Sequence, residues 1–94
     1  EREPSYSPPR VRSQIDPSYP RAARRRGEEG VTRVRVEVSS SGNVKAVRVE
    51  ESSGSSALDE AALDAVERAR YAPAKRGETE IVGAVIVAVE FSLR

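Results

Sequence analysis

Valine recurs at every second position from Val34 to Val38, and Arg33, Arg35 and Glu37 fill the places between. A period of two belongs to an extended chain with one face in a core and the other in water, so residues 31–38 are predicted to form a strand. Turn residues follow at 39–43, and residues 44–51 resume the alternation, with Val47 and Val49 offset from Lys45, Arg48 and Glu50. Two such runs around a Gly-Asn turn predict a β-hairpin.

The period then changes. Leu58, Ala61, Ala62, Ala65, Val66 and Ala69 fall at i, i+3, i+4, i+7, i+8 and i+11, a single apolar stripe that predicts a helix over 57–70. Ser56 stands at the N-cap position, and Asp59 lies in the first turn, where a carboxylate meets the positive end of the helix dipole. Pro73 cannot continue the helix, and Gly77 gives the backbone freedom to reverse. A shorter helical pattern, Tyr19, Ala22, Ala23 and Arg26, begins at Pro20, where a missing N–H costs nothing, and stops at Gly27.

The last segment, 81–94, places Ile81, Val85, Val87, Val89, Phe91 and Leu93 on one side and Ala84, Ile86, Ala88, Glu90 and Ser92 on the other. It reads as one long strand. Gly83 interrupts it and marks a bulge or a close approach of another backbone. The predicted order is α-β-β-α-β, an α+β fold with a three-stranded antiparallel sheet and two helices on one face. The final strand outruns its neighbours, which leaves part of its edge without a partner.

Composition narrows the chemistry. The chain has 94 residues, enough for one domain with a modest core, and residues 1–11, opening "EREPSYSPPR", read as the disordered end of a Pro-rich linker ahead of a domain at 12–94. Sixteen basic and fifteen acidic residues give a net charge of +1, too balanced for a chain that mainly neutralises phosphate. The absence of Cys and His removes disulfides, thiol nucleophiles and imidazole metal ligands, so no cofactor or metal is expected. No apolar run approaches the roughly 18 residues of a membrane span.

Paired carboxylates at 28–29, 50–51 and 59–60 sit among other charges and form no catalytic constellation, so no enzyme activity is expected. The stretch "DPSYPRAARRRG" crowds arginines at 21, 24, 25 and 26. A helix that buries Tyr19, Ala22 and Ala23 turns those arginines outward, and near its C-terminus they suit the dipole. No aromatic pair is exposed for stacking bases, and the element order is not that of a double-stranded-RNA module, so nucleic acid is not an expected partner.

Taken in order, Tyr19-Pro20, Gly30, Gly42, Ser53-Gly54, Leu58-Asp59, Tyr71-Ala72-Pro73, Gly77 and Phe91 resemble the C-terminal domain of the TonB family, periplasmic energy transducers of Gram-negative bacteria, over about residues 12–93. The resemblance implies a domain that binds the Ton box of outer-membrane receptors by strand addition and transmits force for uptake of ferric siderophores, haem or cobalamin. It also implies a periplasmic location, an inner-membrane anchoring helix absent from this chain, and a proton-driven motor complex acting on that helix.

Carried over, the peptide adds along the strand from Gly83 and Ala84 through Val85, Ile86, Val87, Ala88 and Val89 to Glu90, Phe91 and Ser92. Asp16, Pro17 and Ser18 flank it, with Tyr19 and Pro20. Some family members carry Gln where Asp16 stands, and a carboxylate there would instead select a basic residue. Arg21, Arg24 and Arg25 are candidates for a secondary contact with acidic surfaces. Two other readings are a TolA-like envelope adaptor with a different client and a small RNA-binding domain. An open edge bearing Ile86 and Ala88 also allows a homodimer.

Overall fold

A computed structural model describes residues 5–93. Its centre is a three-stranded antiparallel sheet made by β3 (Gly30–Val38), β4 (Val44–Glu51) and β8 (Gly83–Phe91) in the order β4-β3-β8. Thr32, Val34, Val36 and Val38 are the buried row of β3, and Arg33 and Arg35 face water, as the alternation requires. The hairpin turn closes at Gly42, whose φ of 90° is a conformation that a side chain disfavours.

Helix α2 (Ser56–Arg68) lays Leu58, Ala62, Ala65 and Val66 on that row. It begins one residue earlier than the pattern predicts. Ser55, rather than Ser56, is the N-cap, its Oγ accepting from the Leu58 N–H at 3.3 Å. It also ends two residues early, because the Arg70 carbonyl accepts a hydrogen bond from the Arg12 N–H at 2.7 Å and the chain there is already extended. Helix α1 (Arg21–Arg25) is short and contributes Ala23 to the same core.

The rest departs from a simple α-β-β-α-β order. Segments β5 (Tyr71–Ala72), β6 (Ala74–Arg76) and β7 (Thr79–Ile81) follow α2, and β6 and β7 form a small hairpin around Gly77. The expected single strand over 81–94 is therefore two: the chain breaks at Val82 and restarts as β8.

The expected loose linker is also corrected. Residues 1–4 lie outside the described residues, but β1 (Tyr6–Ser7) pairs with β6 and β2 (Arg10–Val11) pairs with β5. Pro9 between them is fully buried. A Cβ on Gly83 would come within 2.7 Å of the Ala74 Cβ and 3.2 Å of the Pro9 ring, so the glycine is where three segments close on one another. Residues 5–13 thus form a strap across the end of the domain. Beneath it, the buried Tyr71 donates its phenol to the Val66 carbonyl at 2.7 Å, and burial pushes that phenol up to about 12.

Candidate functional site

The two outer strands of the sheet each present an edge, and the edges are built differently. Along β4 the register slips twice against β3: Arg33 pairs with Glu51 but Val34 with Val49, and Glu37 pairs with Ala46 but Val38 with Val44. Glu50 and Lys45 are the extra residues. With Arg48 and Glu51 they make β4 bulged and charged, two devices that discourage a further strand. Strand β8 pairs with β3 through nine consecutive residues, Gly30 with Phe91 to Val38 with Gly83, without a slip. Glu90 is its one charged residue. Among the described residues nothing pairs with its outer side.

Each face of β8 has a distinct character. Val87, Val89 and Phe91 are buried toward the helices, while Ala84, Ile86 and Ala88 continue Val82 along the open face, with Ile86 45% and Val82 47% exposed. An open, regular and largely apolar border of this kind offers main-chain donors and acceptors to an added strand, with apolar side chains beside them.

The structure brings part of the predicted flank to this border. The Tyr19 ring meets Phe91 edge-on, with centroids 5.5 Å apart and an interplanar angle of 86°. Tyr19 also donates its hydroxyl to the Glu28 carbonyl. Pro20 is the residue before α1, in extended conformation. Pro17 is half-buried and Ser18 exposed, in the lead-in to Tyr19. Asp16 goes elsewhere: it lines a shallow depression with Gln14 and with Ala65, Arg68 and Ala69 at the end of α2. Arg24 stacks on the Tyr19 ring at 4.9 Å, and Arg21 and Arg25 are exposed on α1. At this same end of β8, Glu29, Val31, Glu90 and Ser92 border a small groove beside Phe91.

The strand-to-helix loop is held by Asp59, a carboxylate whose position in the sequence points only to the helix dipole. Asp59 accepts from Thr32 Oγ1 at 2.8 Å, from the Ser53 N–H at 3.0 Å, from Ser53 Oγ at 2.9 Å, and from Ser52 Oγ. Burial pushes its carboxyl up, but the hydrogen bonds from Ser52, Ser53 and Thr32 together outweigh that, and it titrates below the usual carboxylate range. Apart from the Tyr71 phenol, Thr32 is the one buried polar side chain among the described residues, and Asp59 explains its place in a row of valines. Nearby, Arg26 pairs with Glu28 at 2.7 Å and Ser55 Oγ donates to the other Glu28 oxygen at 2.7 Å. These contacts tie the end of α1, the start of α2 and the mouth of β3 together.

Among the described residues no three acidic groups converge as a metal site, and no helix is long and apolar enough to cross a membrane. Fold and site together define a small α+β module whose sheet ends in one protected and one open border. The chain belongs to the C-terminal domain family of the Gram-negative bacterial TonB protein, whose model matches residues 15–93.

Similar proteins agree. It is 47% identical over 77 residues to Protein tonB2 of Pseudomonas aeruginosa, covering 82% of this chain and 28% of that protein. Protein TonB of Vibrio cholerae is 31% identical over 86 residues, covering 92% of this chain and 35% of that protein. The solution structure of the Pseudomonas aeruginosa TonB C-terminal domain superposes with a TM-score of 0.69 at 27% identity, over 95% of this chain and 87% of that one. The chain thus spans about a third of the length of these full-length relatives.

Proposed function

We propose that the domain, residues 12–94 with the strap from residue 5 packed on it, is the receptor-catching end of a TonB-type energy transducer and works as a binding module rather than an enzyme. An extended segment of an outer-membrane receptor, its Ton box, adds to β8 as a fourth strand. The rest of the transducer, upstream in the whole protein, anchors in the inner membrane and passes force from a proton-driven motor complex through the periplasm. The receptor then opens for a ferric siderophore, haem or cobalamin.

The observation that supports this is the border of β8: nine residues in unbroken register, apolar from Gly83 to Val89, with no partner among the described residues on its outer side. Main-chain bonds supply attraction that asks little of the incoming sequence, so one domain serves several receptors. Ordering a flexible peptide opposes binding, which keeps the grip modest and reversible. The lead-in at 17–20 flanks the site through Tyr19, and Arg21, Arg24 and Arg25 give a secondary attraction to acidic surfaces.

Titrating the labelled domain with a Ton-box peptide tests this. Amide shifts should concentrate in 83–92 and 17–20 and spare 44–51. Shifts centred on β4 would sink the assignment of the edge. Binding of single-stranded RNA through α1 would sink the reading as a whole, and concentration-dependent dimerisation that blocks the peptide would show that β8 pairs with a second copy.

A further inference from the structure

The strap brings arginines together that the β8 border does not use. Arg10 pairs with Ala72 and Val11 with the buried Tyr71, so Arg10 and Arg12 point to the face away from the core. The Arg12 N–H bonds to the Arg70 carbonyl, which sets Arg12 directly opposite Arg70 in an antiparallel pair. Like charges opposed in this way repel. Two clefts flank the strap and share Arg12: one is lined also by Arg70 and Glu67, the other by Arg10, Lys75 and Glu80. Four cations therefore face two carboxylates, and Lys75 stands opposite Glu80 across the β6–β7 hairpin. None of the six forms an ion pair within 4 Å among the described residues.

From this geometry we infer that the strap and the β5–β6 segment form a second interaction surface, which takes an extended acidic peptide segment of a partner protein. Arg10 and Arg12, two residues apart on a strand, project at intervals of about 7 Å, the spacing of alternate carboxylates on an extended peptide. Guanidinium forks donate to carboxylates in bidentate fashion, and a carboxylate bound there relieves the Arg12–Arg70 repulsion. Glu67 and Glu80 border the clefts and disfavour a broad anionic sheet such as a membrane, while leaving room for one strand.

The surface exists only while the strap is docked, because Arg10 and Arg12 come from the strap and Arg70 and Lys75 from the body. Binding must therefore stabilise the docked strap by the same factor by which docking favours binding.

The test uses the whole chain and a blocked (Glu-Ser)4 peptide, with (Gln-Ser)4 and phosphatidylglycerol vesicles alongside. The acidic peptide should shift amides at 10–12 and 69–76 rather than 83–92, bind more weakly as salt rises, and slow exchange of the Arg12 amide. Arg10→Gln with Arg12→Gln should keep the native circular dichroism and weaken binding about fivefold or more, at about two- to fivefold for each exposed pair lost. Arg48→Gln, on β4, should change nothing. Equal affinity in the double variant, no binding of the acidic peptide, or vesicles bound in its place would overturn the surface. Binding without slower Arg12 exchange would overturn its coupling to the strap.

Discussion

The two borders of one sheet have opposite designs. Strand β4 carries Lys45, Arg48, Glu50 and Glu51 and two register slips, and its Val44, Val47 and Val49 are only half-buried. Strand β8 has a single charge, no slip, and an inner row of Val87, Val89 and Phe91 packed into the core. A border that is to be left alone is made irregular and charged. One that is to receive a strand must be straight, bare and held firmly by its other face, so that the incoming chain meets a finished template. The difference teaches that openness and rigidity are built together here: the residues that fix β8 are every second residue of the strand that stays open.

The largest expected effect tests that anchoring. Phe91→Ala removes a buried ring that packs on Tyr19 and should cost about 3–5 kcal/mol. Val47→Ala on the half-buried β4 should cost only about 1 kcal/mol, about half the transfer energy of the two carbons removed. Urea unfolding of both variants decides the matter. Equal losses would mean that the borders are anchored alike, and the contrast would then rest on charge and register alone.

A smaller effect falls on the β4 side. Asp59 ties Thr32 of β3 to Ser52 and Ser53 just past the end of β4, so Asp59→Asn should destabilise by about 1–3 kcal/mol, the range for losing hydrogen bonds to a charged group. Its carboxyl is held below the ordinary range when folded. The stability it contributes is therefore complete above the unfolded value of about 3.9 and is lost as the pH falls through the folded value. Wild-type protein should lose stability on acidification below about pH 4, and the Asn variant should lack that part of the slope. Hydrogen exchange should quicken at 49–53 more than at 85–89. The reverse pattern would show that the carboxylate supports the open border instead.

Much of this contrast was legible in the sequence, because it rests on local periods. The alternation at 31–38 and 84–91 gave each strand its buried face, and the stripe from Leu58 to Ala69 gave α2. Even one of the slips in β4, that at Lys45, has a sign: Val44 and Val47 are three apart where alternation requires two. Thr32 stood in the buried row, but no period tells which acid it will meet 27 residues away. The strap was illegible for the same reason. Its pairs join residues some 60 positions apart or more, and its composition alone resembles a linker. The placing of Asp16 likewise depends on how the lead-in crosses α2, which nothing in residues 14–18 encodes.

The smallest expected effect concerns charges outside the ladder. Arg21, Arg24 and Arg25 lie on α1, and only Arg24 touches the flank of β8, through Tyr19. Under the proposed function their pull on an acidic receptor surface would pass through water, where exposed pairs contribute little and act mainly on the rate of encounter. Replacing all three with Gln should therefore slow association with a receptor plug domain about twofold at low salt. Dissociation should be unchanged, and the difference should vanish at high salt. Surface-plasmon measurements at two ionic strengths separate the rates. A slower on-rate that persists at high salt would place these arginines in direct contact, and a loss as large as that from adding a charge to β8, as in Ile86→Lys, would mean that the helix, rather than the open border, governs recognition.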